Sequence, residues 1–277
     1  MSAAPPTFSV IIPTRNRPDT LARCLENLAP SAQSLDATSY EVIVSDDGDG
    51  DDCRALLARD FPWARYVSGP QRGPAANRNC GAQAAVGEWF VFTDDDTRPD
   101  PHWLRAIAEA RTGVSVVEGR TVCREGLHSP REHAPVNDAG GNWWSCNLAV
   151  RRETFRALRG FDERFRFPHM EDVDFRERAL RANTAWHFAP DAVVDHPARR
   201  DPWGTGWRRA HEAEVLFAVL HRQPFSIWRC TFNVARARWR TIGRAPCSRD
   251  AASAALSWMV ETVDILLQWR GWWRAAR

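Results

Sequence analysis

The first hundred residues alternate short apolar runs with stretches of helical spacing, and this alternation restricts the fold more than any other feature. Residues 8–13, 41–45 and 88–93 are compact apolar runs of the kind found in buried parallel strands. Between the first two, residues 19–28 repeat leucine at helical spacing, with Asp19 as the expected N-cap. Alternation of strands and helices predicts an α/β fold with a doubly wound, mostly parallel sheet.

The rest of the chain is less regular and changes character near residue 201. We expect further helices at 53–60, 73–85 and 171–181, strands at 64–67, 114–122 and 192–194, a loop at 126–142, and a strand running into a helix at 147–158. After residue 200 tryptophan and arginine become dense, and 207–222 and 251–273 have helical spacing. The sequence therefore predicts an α/β domain at 1–200 and a helical C-terminal extension at 201–277.

Composition limits the classes of protein that the chain can belong to. Of its 277 residues 44% are apolar, which is enough for a packed core, and the net charge is only +2. All 37 Lys and Arg residues are arginine, a bias that suits phosphate binding but equally reflects codon composition. The near-neutral charge predicts no general attraction to nucleic acid or to membranes.

The cysteines and the N-terminus bear on the compartment. Seven scattered cysteines form no CxxC pair, so we expect neither a disulfide framework nor a structural zinc site. The first ten residues lack the basic and apolar regions of a signal peptide, and no run approaches the roughly 18 apolar residues of a spanning helix. These features predict a cytoplasmic protein.

Polar clusters follow three of the predicted strands at the point where each strand ends. They occupy residues 14–17, 46–48 and 94–96. Ligands of open α/β sheets bind outside the carboxyl ends of the strands, so we expect the three clusters to meet around one ligand.

The cluster at 94–96 consists of three adjacent aspartates, and their mutual repulsion requires an explanation. A hard divalent cation such as Mg²⁺ or Mn²⁺ takes oxygen ligands from a few carboxylates and from substrate phosphates. For an isolated triplet, a solvated loop or a helix N-cap leading into Asp100-Pro101 would be the better explanation. The position directly after an apolar strand favours the metal site.

Six segments together give the chain a resemblance to family 2 glycosyltransferases. They are VIIPTRNRPDTLARCLENL at 10–28, EVIVSDDG at 41–48, RGPAANRNCGAQAAVGEWFVFTDDD at 72–96, NLAVRRETFRALRGFDERF at 147–165, EDVDFRERALRAN at 171–183 and PDAVVDHP at 190–197. The resemblance covers roughly residues 8–197 and does not extend into the tail. It implies a GT-A fold and an inverting, metal-dependent transfer from a nucleotide diphosphate sugar, with UDP as the default nucleotide.

The resemblance also assigns unequal roles to the three aspartates. It implies that Asp94 lies near the ribose and the metal, that Asp96 ligates the metal directly, and that Asp95 is the less critical donor-site residue. His196 follows a short strand where the family often places a histidine that completes the metal site. The ion is expected to be Mn²⁺ or Mg²⁺, and an imidazole ligand suits Mn²⁺ better.

Further donor contacts are expected from the other strand ends. The family analogy places Thr14, Arg15 and Arg17 around the nucleoside. It places Asp47 on the base with Asp46 as its support, although an Asx turn into the following glycine explains this pair too. Arg78 is the last expected donor contact, since its guanidinium could reach the nucleotide base or the diphosphate. The alternative is that Arg78 forms an ion pair on a helix surface.

The expected catalytic site is Glu171-Asp172. Inverting transfer needs a base that takes the proton of the acceptor hydroxyl, and the family's ED motif assigns this role to the aspartate, here Asp172. Glu171 would orient it or contact the acceptor. A charged helix N-terminus is the alternative explanation. Trp143, Trp144 and Asn147 precede or begin the presumed acceptor motif and are the candidate acceptor contacts.

The partners follow from these assignments. We expect a nucleotide-sugar donor and an acceptor that is a glycan, a lipid-linked saccharide or another hydroxyl compound. The Trp- and Arg-rich tail would either contact the inner face of a membrane peripherally or pack on the catalytic domain or on a second subunit.

Three other functions stay open. A nucleotidyltransferase needs a glycine-rich basic loop after the first strand, which residues 14–17 do not provide. A nucleic-acid-binding protein that uses Arg and Trp is opposed by the net charge and by the carboxylates at the strand ends. A non-catalytic sugar-binding relative would not need Asp94, Asp96, Asp172 and His196.

Overall fold

The computed structural model describes residues 5–129, 132–200, 206–224, 232, 236 and 248–277. The strands are β1 (Phe8–Thr14), β2 (Tyr40–Asp46), β3 (Arg65–Ser68), β4 (Trp89–Thr93), β5 (Arg98–Pro99), β6 (Val116–Val122), β7 (Glu132–His133), β8 (Asn147–Arg151), β9 (Trp186–Asp195) and β10 (Arg199–Arg200). The helices are α1 (Pro18–Leu28), α2 (Asp52–Asp60), α3 (Pro74–Ala84), α4 (Trp103–Ala110), α5 (Arg152–Ala157), α6 (Glu171–Arg181), α7 (Gly206–Leu220) and α8 (Ser248–Ala275).

Eight strands form one mixed sheet in the order β3-β2-β1-β4-β8-β6-β9-β5. The first four are parallel, with Val10 of β1 opposite Val42 of β2 and Val91 of β4. Strand β8 runs antiparallel to both β4 and β6, while β9 is parallel to β6. The α/β class and the mostly parallel sheet are thereby confirmed, and the carboxyl ends of β1, β2 and β4 lie at one edge.

The sheet is buried on both faces, which explains why its first strands are continuously apolar. Every residue of β1 is buried. One face packs against α1 and α4, where leucines such as Leu21 and Leu25 recur at helical spacing. The other face packs against α3, α5 and α6 through an aromatic group that includes Phe155 and Phe175. These two layers hold the strand ends of the candidate site in place.

Several local predictions differ from the structure. Asp19 is not the N-cap of α1, because Pro18 occupies the first turn and its fixed φ suits that place, which moves the cap position to Arg17. Helix α4 was not predicted, since it is only eight residues long and lies among prolines and charges. Strand β9 has ten residues rather than the three expected. Its pairing with β6 shifts between Gly119 and Arg120, and this irregularity accommodates Pro190 within the strand.

The chain forms two compact units. The first consists of Met1–Arg124, Pro135–Arg166 and Glu171–Pro197, and the second of Glu125–Ala134, Phe167–Met170 and Ala198–Arg277. The second unit thus includes two short segments that the sequence-based division assigned to the α/β domain. Among the described residues no helix combines the length and the apolar character needed to cross a bilayer.

Candidate active site

Asp94, Asp96 and His196 form a compact cluster at the carboxyl edge of the sheet. Each offers one ligand atom, and these atoms lie within 4.8 Å of one another. His196 Nε2 is 3.6 Å from Asp96 Oδ1 and 4.0 Å from Asp94 Oδ2. Both aspartates retain some exposure, whereas the imidazole is buried. The sequence-predicted metal ligands are therefore brought together, although 100 residues separate the aspartates from the histidine.

The backbone fixes which nitrogen of His196 faces the carboxylates. Its Nδ1 lies 3.0 Å from the carbonyl oxygen of Pro197, and a carbonyl can only accept a hydrogen bond. Nδ1 therefore carries a hydrogen, and Nε2 is the ring nitrogen that faces Asp94 and Asp96. Metal-bound histidines commonly have this arrangement, because the second hydrogen bond sets the tautomer and holds the ring.

These three side chains fit a divalent cation. Two carboxylates and one imidazole form a ligand set that suits Mn²⁺, whereas Mg²⁺ prefers ligands that are all oxygen atoms. The chemistry of the donor set thus supports the predicted metal role of these residues.

Asp95 points away from this cluster and is fully buried. Thr14 Oγ1 donates a 2.7 Å hydrogen bond to its Oδ2, and Arg17 Nη2 lies 2.5 Å from its Oδ1 as an ion pair without hydrogen-bond geometry. Burial raises the pKa of Asp95 to about 7, although Arg17 and Thr14 act in the opposite direction. Asp95 therefore connects β1 to the end of β4 and offers no surface to a donor.

Arg78 joins the candidate metal cluster to the candidate catalytic residues. Its Nη2 is 2.7 Å from Asp94 Oδ1, and its Nη1 is 2.9 Å from Glu171 Oε1. The guanidinium is almost completely buried, so the alternative of an ion pair on the helix surface is wrong for this residue. A planar fork with two donors on different nitrogens can bridge two carboxylates in this way, and a lysine cannot.

Asp172 lies at the start of α6 and is half-buried. Its Oδ1 accepts from the Val173 amide at 2.8 Å, and its Oδ2 lies 3.4 Å from the amide nitrogen of Ser145. Burial and the adjacent Glu171 carboxylate raise the pKa of Asp172 to about 7, against the lowering effect of Arg78. A carboxylate poised near neutrality at the start of a helix has the properties expected of a general base.

The remaining predicted donor residues differ in how accessible they are. Asp46 makes the Asx turn that was the alternative explanation, since its Oδ1 accepts from the Gly48 amide at 2.8 Å. Asp47 is buried and accepts from the amides of Gln71 and Gly73, at 2.9 and 3.0 Å. Burial raises the pKa of Asp47 against these hydrogen bonds. Asp47 therefore holds the loop between β3 and α3, while Asp46 holds the turn after β2. A nucleotide base could contact only the carboxylate lone pairs that these hydrogen bonds do not use.

The basic residues after β1 are exposed. Arg15 lies 3.7 Å from Asp49 and Arg17 lies 3.5 Å from Asp96, with roughly half of each side chain accessible to solvent. Arg17 thus reaches from Asp96 toward open solvent. Thr14, in contrast, is buried, and its hydroxyl donates to Asp95.

The three predicted acceptor contacts are also placed differently from one another. Trp143 is completely buried. The side-chain amide of Asn147 accepts a hydrogen bond from Trp103 and donates to the carbonyl oxygens of Arg120 and Ala192. Neither presents a surface to a ligand. Trp144 keeps part of its surface and precedes Ser145, whose amide faces Asp172. Of the three, Trp144 is the residue positioned to contact an acceptor.

Glu118 is a site residue that sequence reasoning missed. It is buried in β6, and its carboxylate accepts from the amides of Gly141, Asn142 and Trp143 at 2.5, 2.9 and 2.5 Å and from Asn137 Nδ2 at 2.8 Å. Trp143 has φ of 58°, an unfavourable conformation for a bulky residue that these bonds offset. Glu118 therefore fixes the loop that carries Trp144. A lone acid in the apolar strand VVEGRTV is the signal that could have revealed it.

Comparisons with known proteins agree with this geometry. The family model described as glycosyl transferase family 2 matches residues 9–165, more than half of the chain. A glycosyltransferase AglE of Haloferax volcanii is 30% identical over 224 residues, which are 74% of this chain and 70% of that protein. A validoxylamine A glucosyltransferase of Streptomyces hygroscopicus subsp. jinggangensis is 27% identical over 266 residues, 79% of this chain and 60% of that protein.

A solved structure shares the fold. The mannosyltransferase PcManGT from Pyrobaculum calidifontis, determined in complex with GDP-Man and Mn²⁺, has a TM-score of 0.55 at 19% identity. The similarity covers 99% of this chain and 84% of that one. Sequence and fold together favour sugar transfer over nucleotidyl transfer and over nucleic-acid binding. The chain belongs to glycosyl transferase family 2 and is a sugar-transferring enzyme.

Proposed function

We propose that the protein is an inverting glycosyltransferase that moves a sugar from a nucleotide diphosphate sugar, by default a UDP-sugar, to an acceptor hydroxyl. The observation that carries this proposal is the link Asp94–Arg78–Glu171, which places a candidate metal cluster beside a candidate base. The reaction needs one group that holds the diphosphate and one that removes a proton. In this proposal the candidate metal cluster does the first and the candidate base does the second.

On the donor side we assign the cation to Asp94, Asp96 and His196, with Mn²⁺ preferred over Mg²⁺ because of the imidazole. When bound there, a divalent ion acts as a Lewis acid that stabilises the departing diphosphate. The exposed guanidinium of Arg17, next to Asp96, is placed to pair with a phosphate oxygen. Arg15 would contribute charge to the same opening.

On the acceptor side we assign the general base to Asp172. Its side chain keeps some exposure, and its pKa of about 7 lets it be ionised and still accept a proton at neutral pH. Glu171 acts by positioning, because its carboxylate is bonded to Arg78. The sugar would pass from the donor carbon to the acceptor oxygen as Asp172 takes the hydroxyl proton.

For the acceptor we propose a glycan or a lipid-linked saccharide whose sugar face stacks on Trp144. The validoxylamine A relative, by its name, acts on a small molecule, so the acceptor class cannot be transferred by family alone. A lipid-linked acceptor would place the enzyme peripherally at the inner face of a membrane.

A panel of nucleotide sugars tests this function. Release of nucleoside diphosphate from UDP-, dTDP- and GDP-sugars is measured with Mn²⁺, with Mg²⁺ and with EDTA. We expect turnover with one nucleotide class, and EDTA should abolish it. In calorimetry an Asp172→Asn variant should bind the nucleoside diphosphate with Mn²⁺ as the wild type does, yet lose transfer. Absence of metal-dependent binding to every nucleoside diphosphate would overturn the proposal.

A further inference from the structure

Helix α8 exposes large apolar side chains along one side. The exposed residues are Leu256, Met259, Val260, Val263, Leu266 and Leu267, with exposed fractions from 40% to 72%. We call this set the α8 stripe. Spacings of four, three and four residues link Leu256, Val260, Val263 and Leu267, so they lie on one line along the helix. A contiguous exposed apolar surface of this kind marks an interaction site more often than chance exposure does.

The acidic residues in the C-terminal part of α8 are buried, whereas an ordinary surface helix exposes its charged residues to solvent. Between residues 251 and 277 the only acidic residues are Glu261 and Asp264, and both are buried. Glu261 Oε1 lies 2.9 Å from His211 Nε2 of α7, within the same compact unit. The acidic side of α8 therefore faces inward, and this buried pair sets which side of the helix is turned outward.

Arginines continue the line of the stripe toward the end of the chain. Arg270 and Arg274 follow Leu267 on α8 at spacings of three and four residues, Arg277 lies two residues beyond the end of the helix, and all three are exposed. Arg270 and Arg277 lie over the rings of Trp269 and Trp273, with 5.5 and 5.4 Å from guanidinium carbon to ring centroid. The outward side thus combines an apolar surface with a purely cationic end.

A second copy of the chain does not fit this surface well. The apolar part of the line spans less than two heptads, while coiled-coil pairing normally needs about three or more. The next two positions on the same line, Arg270 and Arg274, are arginines that would face one another in a parallel pair. The described part of this side offers no carboxylate to pair with them in an antiparallel one.

We propose that the α8 stripe lies in the interface of an anionic lipid bilayer, with Arg270, Arg274 and Arg277 on the phosphate headgroups. The line from Leu256 to Arg274 is about 27 Å long at 1.5 Å per residue, which suits a helix lying in the plane of the surface. Aliphatic side chains would enter the acyl boundary, and each arginine near anionic headgroups adds attraction that salt screens. The half-buried tryptophans are secondary to the aliphatic stripe in this arrangement.

Vesicle co-sedimentation of the full chain tests the proposal. The wild type should sediment with equimolar phosphatidylcholine and phosphatidylglycerol vesicles, bind phosphatidylcholine alone at least tenfold more weakly, and be released by high salt. The variant Val263→Glu/Leu267→Glu should lose at least tenfold in binding, because two charges would enter the apolar boundary. Replacing Arg270, Arg274 and Arg277 by Gln should remove the preference for phosphatidylglycerol.

A matched control carries the same added charge off the stripe. The variant Gln268→Glu/Ala275→Glu changes two exposed positions of α8 that do not lie on the stripe, so it should bind nearly as the wild type does. Thermal denaturation checks that all variants fold. Failure of the wild type to bind anionic vesicles overturns the proposal. So does equal binding by the stripe variant, or an equal loss in the control.

Two further measurements distinguish membrane binding from dimerisation and from the proposed transfer reaction. Light scattering gives the oligomeric state, and a wild-type dimer that the stripe variant converts to a monomer, without vesicle binding, would replace the membrane by a second copy. Vesicle binding needs no sugar donor, so it succeeds or fails independently of the proposed transfer reaction. If transfer occurs, the stripe variant should retain it fully with a water-soluble acceptor.

Discussion

Arg78 Nη1 donates a 2.9 Å hydrogen bond to Glu171 Oε1 in the protein interior, between residues 93 positions apart in the chain. The other terminal nitrogen of Arg78 holds Asp94, so one side chain connects the candidate metal cluster with the start of α6. Removing one partner of a buried ion pair leaves the other charge uncompensated, which costs far more than the loss of a surface pair. The geometry of both half-sites therefore depends on Arg78.

Substitution of Arg78 should affect stability and turnover separately. Arg78→Ala should lower the free energy of unfolding by about 3–5 kcal/mol, because the buried carboxylate of Glu171 and the partly exposed carboxylate of Asp94 both lose this counter-charge. Arg78→Lys keeps the charge but can face only one carboxylate, so we expect a smaller stability loss and a fall in kcat of about 10- to 100-fold. Chemical denaturation and steady-state kinetics measure the two effects.

The control for this prediction is Arg105→Ala, which removes an exposed i,i+4 pair with Glu109 on α4. It should change stability by less than about 0.5 kcal/mol. A kcat for Arg78→Lys equal to that of the wild type would show that bridging both carboxylates is unnecessary.

Loss of His196 should weaken metal binding. His196→Gln removes the imidazole whose Nε2 faces Asp94 and Asp96, so Mn²⁺ affinity should fall about 10- to 100-fold. Electron paramagnetic resonance of free Mn²⁺ measures this directly, without any substrate. His187→Gln changes an exposed histidine on the same strand β9 and should leave the affinity unchanged. Equal affinities in all three proteins would remove His196 from the metal site.

The strand ends were predictable because the chain's periodicity alone defines them. Apolar runs that end in Asp46 and Thr93 locate the edge of the sheet, and the family resemblance then selects Asp94, Asp96, Asp172 and His196. The partners of these residues were not predictable in the same way. Arg78 reads equally well as a surface residue of α3, and its burial depends on α6, almost a hundred residues later.

The acceptor side shows the same limit. Sequence placed Trp143, Trp144 and Asn147 together, but neighbouring residues in an irregular loop point in different directions. The backbone of Trp143 adopts a positive φ, which sends its ring into the core and leaves Trp144 partly exposed. Local composition carries no information about that choice, because the bonds that enforce it come from Glu118 on a separate strand.

The rate of transfer should depend on the ionisation of Asp172. With a pKa raised to about 7, mainly by burial, the base is protonated and inactive in acid. We therefore expect kcat/KM to rise with pH and to level off above about pH 7, with a tenfold loss per unit well below it. A pH profile measured at saturating Mn²⁺ tests this. A level profile from pH 5 to 8 would argue against Asp172 as the base.

The same shift has a consequence for stability. The folded state binds a proton at Asp172 more tightly than the unfolded chain, whose carboxyl has a pKa of 3.8. This carboxyl therefore favours folding at low pH, and that contribution is lost as pH rises from about 4 to about 7. Asp172→Asn should be more stable than the wild type by on the order of 1–2 kcal/mol at pH 8 and nearly equal to it at pH 4. Thermal denaturation at both pH values measures the difference, and a larger gain at pH 4 would contradict the sign.

Glu118→Gln should affect the acceptor and spare the donor. The Oε1 atom of Glu118 accepts from Asn142 and Trp143 and its Oε2 accepts from Gly141, so an amide group must set a donor against one of these N–H groups. We expect a stability loss of about 2–3 kcal/mol from the unpaired buried groups. We also expect a several-fold rise in the KM for acceptor, because the loop carrying Trp144 loosens, with the KM for donor unchanged.

Glu109→Gln, at an exposed position on α4, is the control and should alter none of these quantities. Equal changes in both KM values would mean that Glu118 supports the whole site rather than the acceptor loop.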